Sequence, residues 1–218
     1  GTNNTLLGTA AGSGFDAEQS NTFIGYSAGS GAINGADKCV VVGADAFQGN
    51  ATQDGTIAVG YSSLAALTSG VANTAIGDQA SIAIVEGSYN TVLGYQAFDA
   101  GQEDSRCVAI GNSALTLADV SDTGSAVVTN NTAVGYNAGA GITTGKNNTL
   151  IGASAGDGFD AESHNTAVGN SALGGAGSAS GCVALGFEAI AGAATQTGTV
   201  AIGRSALTAL TSGAGNTA

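Results

Sequence analysis

The chain has 218 residues, 37 of them glycine and none proline, methionine or tryptophan, and sixteen acidic residues against four basic ones give a net charge of −12. That balance argues against nucleic acid and anionic lipid as partners, since both need clustered Lys and Arg, and no apolar run reaches membrane-spanning length, so no direct membrane insertion is expected. Collagen would need glycine at every third position with abundant proline, and disorder would need far fewer apolar residues than the 43% present.

Twelve glycines instead mark a regular beat: Gly8, Gly25, Gly43, Gly60, Gly77, Gly94, Gly111, Gly135, Gly152, Gly169, Gly186 and Gly203. Nine of the eleven intervals are 17 residues, one is 18 and one is 24. A fixed period of this size is the signature of a solenoid, in which each repeat is one coil and neighbours stack to make the core. The expectation is an all-β, parallel β-solenoid (β-roll) of about 12 coils, running as one domain over residues 1–218. Beginning and ending within repeats, the chain reads as a fragment of a longer one.

Each coil opens with a short strand that ends at its glycine. The residue before glycine is always Ile, Val or Leu, and the third before it is Thr, Val or Ile. This β-branched alternation reads as a strand whose first and third residues face the coil interior. Between them lie Leu6, Phe23, Val41, Ala58, Ala75, Val92, Ala109, Ala133, Leu150, Ala167, Ala184 and Ala201, none of them polar. A strand apolar on both faces should be buried on both. Leu6, Phe23, Val41, Ala75, Val92, Ala109 and Leu150 are therefore expected to meet another copy of the chain. Three residues past glycine stands Ala in eleven coils and Ser63 in the other, a narrow packing slot.

Along the chain, residues 12–18 (Gly-Ser-Gly-Phe-Asp-Ala-Glu) form the first acidic glycine-rich turn, open to two readings, a calcium site or a solvated turn. Neither known calcium-loop spacing is present. Asn4, Asn21, Asn73, Asn90, Asn131, Asn148 and Asn165 share the slot four before glycine, where stacked amides could bond to one another. Tyr26, Tyr61, Tyr95 and Tyr136 directly follow a repeat glycine in every second coil, and Phe187 shares the slot. They are either an aromatic row for sugar rings or a cover over neighbouring slots and the subunit interface.

Cys39, Cys107 and Cys182 stand four coils apart. At one strand spacing per coil, successive ones are roughly 19 Å apart, too far for any bridge within the chain, and they read as small buried residues or as sites of bridging between chains. The 24-residue coil carries its extra residues within Thr116–Asn130, where Asp119 and Asp122 are candidates for a recognition loop, the other reading being a neutral spacer. Residues 147–162 then repeat residues 3–18 at twelve of sixteen positions, and 207–218 repeat 64–75 at nine of twelve. A larger module of eight coils, about 144 residues, underlies the chain.

Catalysis lacks its parts. His164 is the one histidine and no nucleophile motif accompanies it, so no enzyme, no catalytic residue, no cofactor and no metal are expected. An ice-binding surface needs an outward Thr row, which the inward reading of the strand Thr disfavours.

The phrases Asn21-Thr22-Phe23-Ile24-Gly25-Tyr26-Ser27-Ala28-Gly29 and Cys107-Val108-Ala109-Ile110-Gly111-Asn112-Ser113-Ala114-Leu115 resemble the head repeats of trimeric autotransporter adhesins and the Asn-Thr-Ala-Ile-Gly repeats of phage tail-fibre-like proteins. The resemblance covers the whole chain through a short, degenerate phrase. It implies a left-handed β-roll and a homotrimer around one axis. Coil length departs from it, because autotransporter heads usually have somewhat shorter coils. The expected role is a structural and adhesive segment, shaft or head, of an extracellular, cell-surface or virion fibre with a glycan or protein receptor. A self-assembling mechanical filament without a receptor is the alternative.

Overall fold

The computed structural model describes residues 1–31, 35–49, 54–118, 127–175, 177–192 and 197–218. It is all-β, a parallel β-solenoid with a coil spacing of about 17 residues. Twelve three-residue strands stack in chain order into one parallel sheet: Thr5–Leu7, Thr22–Ile24, Val40–Val42, Ile57–Val59, Thr74–Ile76, Thr91–Leu93, Val108–Ile110, Thr132–Val134, Thr149–Ile151, Thr166–Val168, Val183–Leu185 and Val200–Ile202. Register is kept throughout, as in Thr74↔Thr91, Ala75↔Val92 and Ile76↔Leu93. The long coil does not break it, because Val108–Ile110 pairs directly with Thr132–Val134. A second, two-stranded sheet joins Asp104–Ser105 to Val127–Val128 beside the inserted stretch.

The two faces of the strand are the reverse of the sequence expectation. The middle residues Phe23, Val41, Ala75, Val92, Ala109 and Leu150 are buried inside the coil, while Leu6 is exposed on the first strand. The flanking residues are half-buried or exposed: Ile76, Leu93, Ile151 and Val168 all reach solvent. The reason is the narrowness of the coil. Only one column of each strand can point inward, and it must share its space with the column four residues past glycine.

That second column has a conformation the residue types alone do not announce. In every coil the residues two and four past glycine, and the residue five before it, have positive φ. Leu64 (φ 50°), Ile190 (φ 51°) and Phe47 (φ 52°) are bulky residues held in the left-handed region, which such side chains ordinarily avoid. Burial over-determines them. Leu64, Phe47, Phe98, Leu115 and Leu173 are among the largest fully buried side chains in the chain.

The repeat glycine is a matter of close approach. A Cβ on Gly77 would overlap the carbonyl oxygen of Gly94 in the next coil, and its φ is +145°. The same overlap recurs from Gly8 to Gly186 but not at Gly203, above which nothing lies within 4 Å.

The Asn column bonds differently from a stack of amides. Asn73 Nδ2 donates to Gly87 O within its own coil (2.7 Å), and Asn73 Oδ1 accepts the backbone N–H of Asn90 in the next coil (3.0 Å). Asn90 repeats the pattern onto Asp104 O and the N–H of Cys107. One amide-to-amide contact accompanies it, Asn148 Nδ2 to Asn131 Oδ1. Each side chain thus satisfies a buried backbone donor and acceptor that strand pairing leaves over. A parallel relay runs six before glycine, where Ser105 Oγ accepts from Ser88 N–H and Asp54 Oδ1 accepts from Asp37 N–H.

Candidate functional site

The outward strand residues form one continuous face running the length of the sheet. Its first column reads Thr5, Thr22, Val40, Ile57, Thr74, Thr91, Val108, Thr132, Thr149, Thr166, Val183 and Val200. Its second is wholly Leu, Ile and Val, from Leu7 (65% exposed) to Ile202 (61%). Eleven strand spacings make the face roughly 50 Å long. In-register pairing keeps each column continuous, so the face is a strip with aliphatic side chains on one half and hydroxyl or methyl groups on the other. The Thr residues expected inside the coil are therefore outside it. Their orientation no longer disfavours an ice-binding surface.

Two rims border the strip. Past the repeat glycine, Tyr26, Tyr61, Tyr95 and Tyr136 are exposed, as is Phe187, over whose ring the Arg204 guanidinium sits at 5.7 Å. On the opposite side, five residues before glycine, lies a turn that no sequence pattern singled out. Its residues are exposed along the whole solenoid, and five consecutive coils there carry Tyr89, Arg106, Asn130, Asn147 and His164. Backbone bonds keep them in line: Arg106 N–H donates to Ser88 O, Asn147 N–H to Thr129 O and His164 N–H to Lys146 O. Asn130 Nδ2 donates to Asn147 Oδ1 (3.1 Å), and Asn147 Nδ2 lies 3.3 Å from His164 Nε2.

The remaining candidates are placed as follows. Asp119 and Asp122 lie outside the described residues. In the first acidic turn, Glu18 takes the Asp16 N–H on one carboxylate oxygen (2.6 Å) and the Gly35 N–H on the other (2.9 Å). Burial works to raise its pKa, and the backbone donors outweigh it, so the carboxyl titrates below its ordinary value. Glu162 likewise accepts the Asp160 N–H. Both glutamates thus brace their own turns, and among the described residues no group of three potential metal ligands forms.

Cys39, Cys107 and Cys182 are buried thiols without a disulfide. Burial pushes Cys107 up to about 12, against smaller lowering by hydrogen bonds, one of them from Thr129. Its Sγ lies 3.0 Å from Thr129 Oγ1. Burial also raises Cys39. Such thiols are poor nucleophiles. No pocket opens among the described residues. No protein-family model, curated protein or solved structure matches the chain.

Proposed function

We propose that the chain is a segment of an extracellular or virion attachment fibre, a shaft or head in which three copies pack their strand faces around a common axis. The observation that carries this reading is the apolar strip itself. Monomeric proteins rarely leave a contiguous apolar patch larger than a few hundred Å² in water, and a strip on the order of 50 Å long by two side-chain columns reaches that scale. Self-association by identical coils also gives each copy the same environment at every level of the stack. Copies facing one another across this strip leave both rims outward, where a glycan or protein receptor can reach them. A bare mechanical filament differs only in having no receptor.

Sedimentation of the intact chain at micromolar concentration tests the reading. A mass of three chains is expected, reverting to one when Leu93→Asp and Ile151→Asp are combined. A monomeric wild type overturns it.

The outward Thr column favours a second reading, a surface that orders water and binds ice. A monomer that also depresses the freezing point non-colligatively would establish that reading. A trimer without such activity would remove it.

A further inference from the structure

The turn five residues before glycine is a left-handed position in every coil, with φ from 53° at Asn130 to 74° at Gly55. Gly, Asn and small residues suit it, and most coils comply with Asn3, Ser20, Gly55, Ala72, Gly181 and Gly198. Lys38 (φ 59°), Tyr89 (φ 60°), Arg106 (φ 62°) and His164 (φ 64°) do not, and the last three fall within one run of five coils. They are also exposed, so burial does not explain them as it explains Leu64 and Phe47. Large side chains kept in a disfavoured conformation without a packing reason point to a task on the surface.

The charge pattern agrees. In a chain of net charge −12, Arg106, Lys146 and His164 hold half of the four Lys and Arg residues and the single histidine. Arg106 and His164 share the exposed slot and Lys146 adjoins it in sequence, all within four consecutive coils. Of the nearby carboxylates, Asp104 is buried and Glu162 accepts the Asp160 N–H with one oxygen. The Asn130–Asn147–His164 chain of contacts holds three polar heads in a row, one per coil. Tyr89 closes the row at one end with an exposed ring. The eight-coil module supplies an internal comparison, because the counterpart of His164 in the earlier module is Ser20.

We propose that this edge binds a carboxylate-bearing polysaccharide laid along the solenoid axis. Polar heads recur at roughly 4.8 Å, about the length of one pyranose ring, so successive sugars meet successive coils. Arg106 pairs with a carboxylate through its planar fork, and Lys146 adds a second cation. Asn130 and Asn147 offer amides to ring hydroxyls, and Tyr89 stacks on a sugar face. The proposal deepens the attachment reading and rests on it for its biological setting. Every residue of the site nevertheless belongs to one chain, so the site can be tested apart from the oligomer.

The test is calorimetric titration of the intact chain with polygalacturonate oligomers, against neutral dextran and single-stranded DNA. Saturable binding of polygalacturonate that weakens with salt is expected. Arg106→Ala and Asn147→Ala should each weaken it about tenfold or more, with unchanged circular dichroism. Asn3→Ala, in the same column but outside the run, should leave it unchanged. Equal binding of dextran, stronger binding of DNA, an unaffected Arg106→Ala, or no binding at all overturns the proposal. Retained binding by the Leu93→Asp/Ile151→Asp variant is expected, and a wild type that binds polygalacturonate as a monomer sinks the fibre reading but not the site.

Discussion

Phe23 occupies the space that a side chain on Gly29 would need: a Cβ built on Gly29 runs into the Phe23 ring of the same coil. The same exchange recurs in other coils. Leu6 stands with Gly12 and Leu150 with Gly156, whereas Ala58 stands with Leu64, Ala109 with Leu115 and Ala184 with Ile190. In eight of the twelve coils one inward column is large and the other small, whereas Val41–Phe47 and Val92–Phe98 are both large and Ala75–Ser81 and Ala133–Gly139 both small.

This volume exchange predicts a strong coupling. Gly29→Leu alone overfills the coil, and Phe23→Ala alone empties it, each costing about 2–4 kcal/mol. Together they recreate the Ala58–Leu64 arrangement, so the double variant should recover most of the loss. Urea unfolding of the four chains in the cycle reads the coupling, and simple additivity would show that the two positions do not share a space.

Position along the stack predicts a gradient for the repeat glycine. Gly77→Ala drives a methyl into the Gly94 carbonyl and should cost about 3 kcal/mol or more. Gly203→Ala meets no neighbour and keeps only the strain of its positive φ, on the order of 1 kcal/mol. Equal losses in thermal unfolding would assign the glycine to backbone conformation alone.

The two strand faces predict opposite outcomes for neighbours in sequence. Ala75→Glu places a charge where the residue is fully buried and should unfold the surrounding coils, at about 3 kcal/mol or more. Ile76→Asp changes a residue that reaches solvent in the single chain, so it should lower the sedimenting mass while leaving strand content intact. Circular dichroism and sedimentation on both variants separate the effects.

Cys107 predicts an alkaline weakness. Its folded value is raised to about 12 from an ordinary 9.0, so the folded chain holds a proton there that the unfolded chain releases. The stabilising contribution is full below about pH 9 and is lost as the pH rises toward 12. Cys107→Ser should flatten that part of the stability curve. In the native chain the thiol should resist disulfide reagents at pH 8, and rapid labelling would show that the coil opens there.

The period, the strands and their parallel stacking were legible because they rest on spacing, and each strand ends on a glycine. Which strand face points inward was not. Thr74 and Ile76 are better β-formers than Ala75, and propensity assigned them to the interior. Volume decided otherwise, because a coil this narrow admits Ala75 but not two columns of branched residues. The edge bearing Tyr89, Arg106 and His164 was hidden for another reason. Its coherence lies in a backbone conformation, and its trace in the sequence is the Gly, Asn, Ser and Ala residues that fill most of the same slot elsewhere.

The matched pairs Phe23–Gly29 and Ala58–Leu64 have an evolutionary consequence. Where size compensation is settled inside a coil, the coil is a cassette that can be copied or exchanged without redesigning its neighbours. Unequal recombination between such cassettes lengthens the rod in fixed increments, and residues 3–18 and 147–162 carry the trace of that copying. Leu115 and Leu150 are exceptions, since both lie against Gly139 of the coil between them and Leu150 also against Gly156, and they mark junctions at which copying would have to take neighbouring coils together.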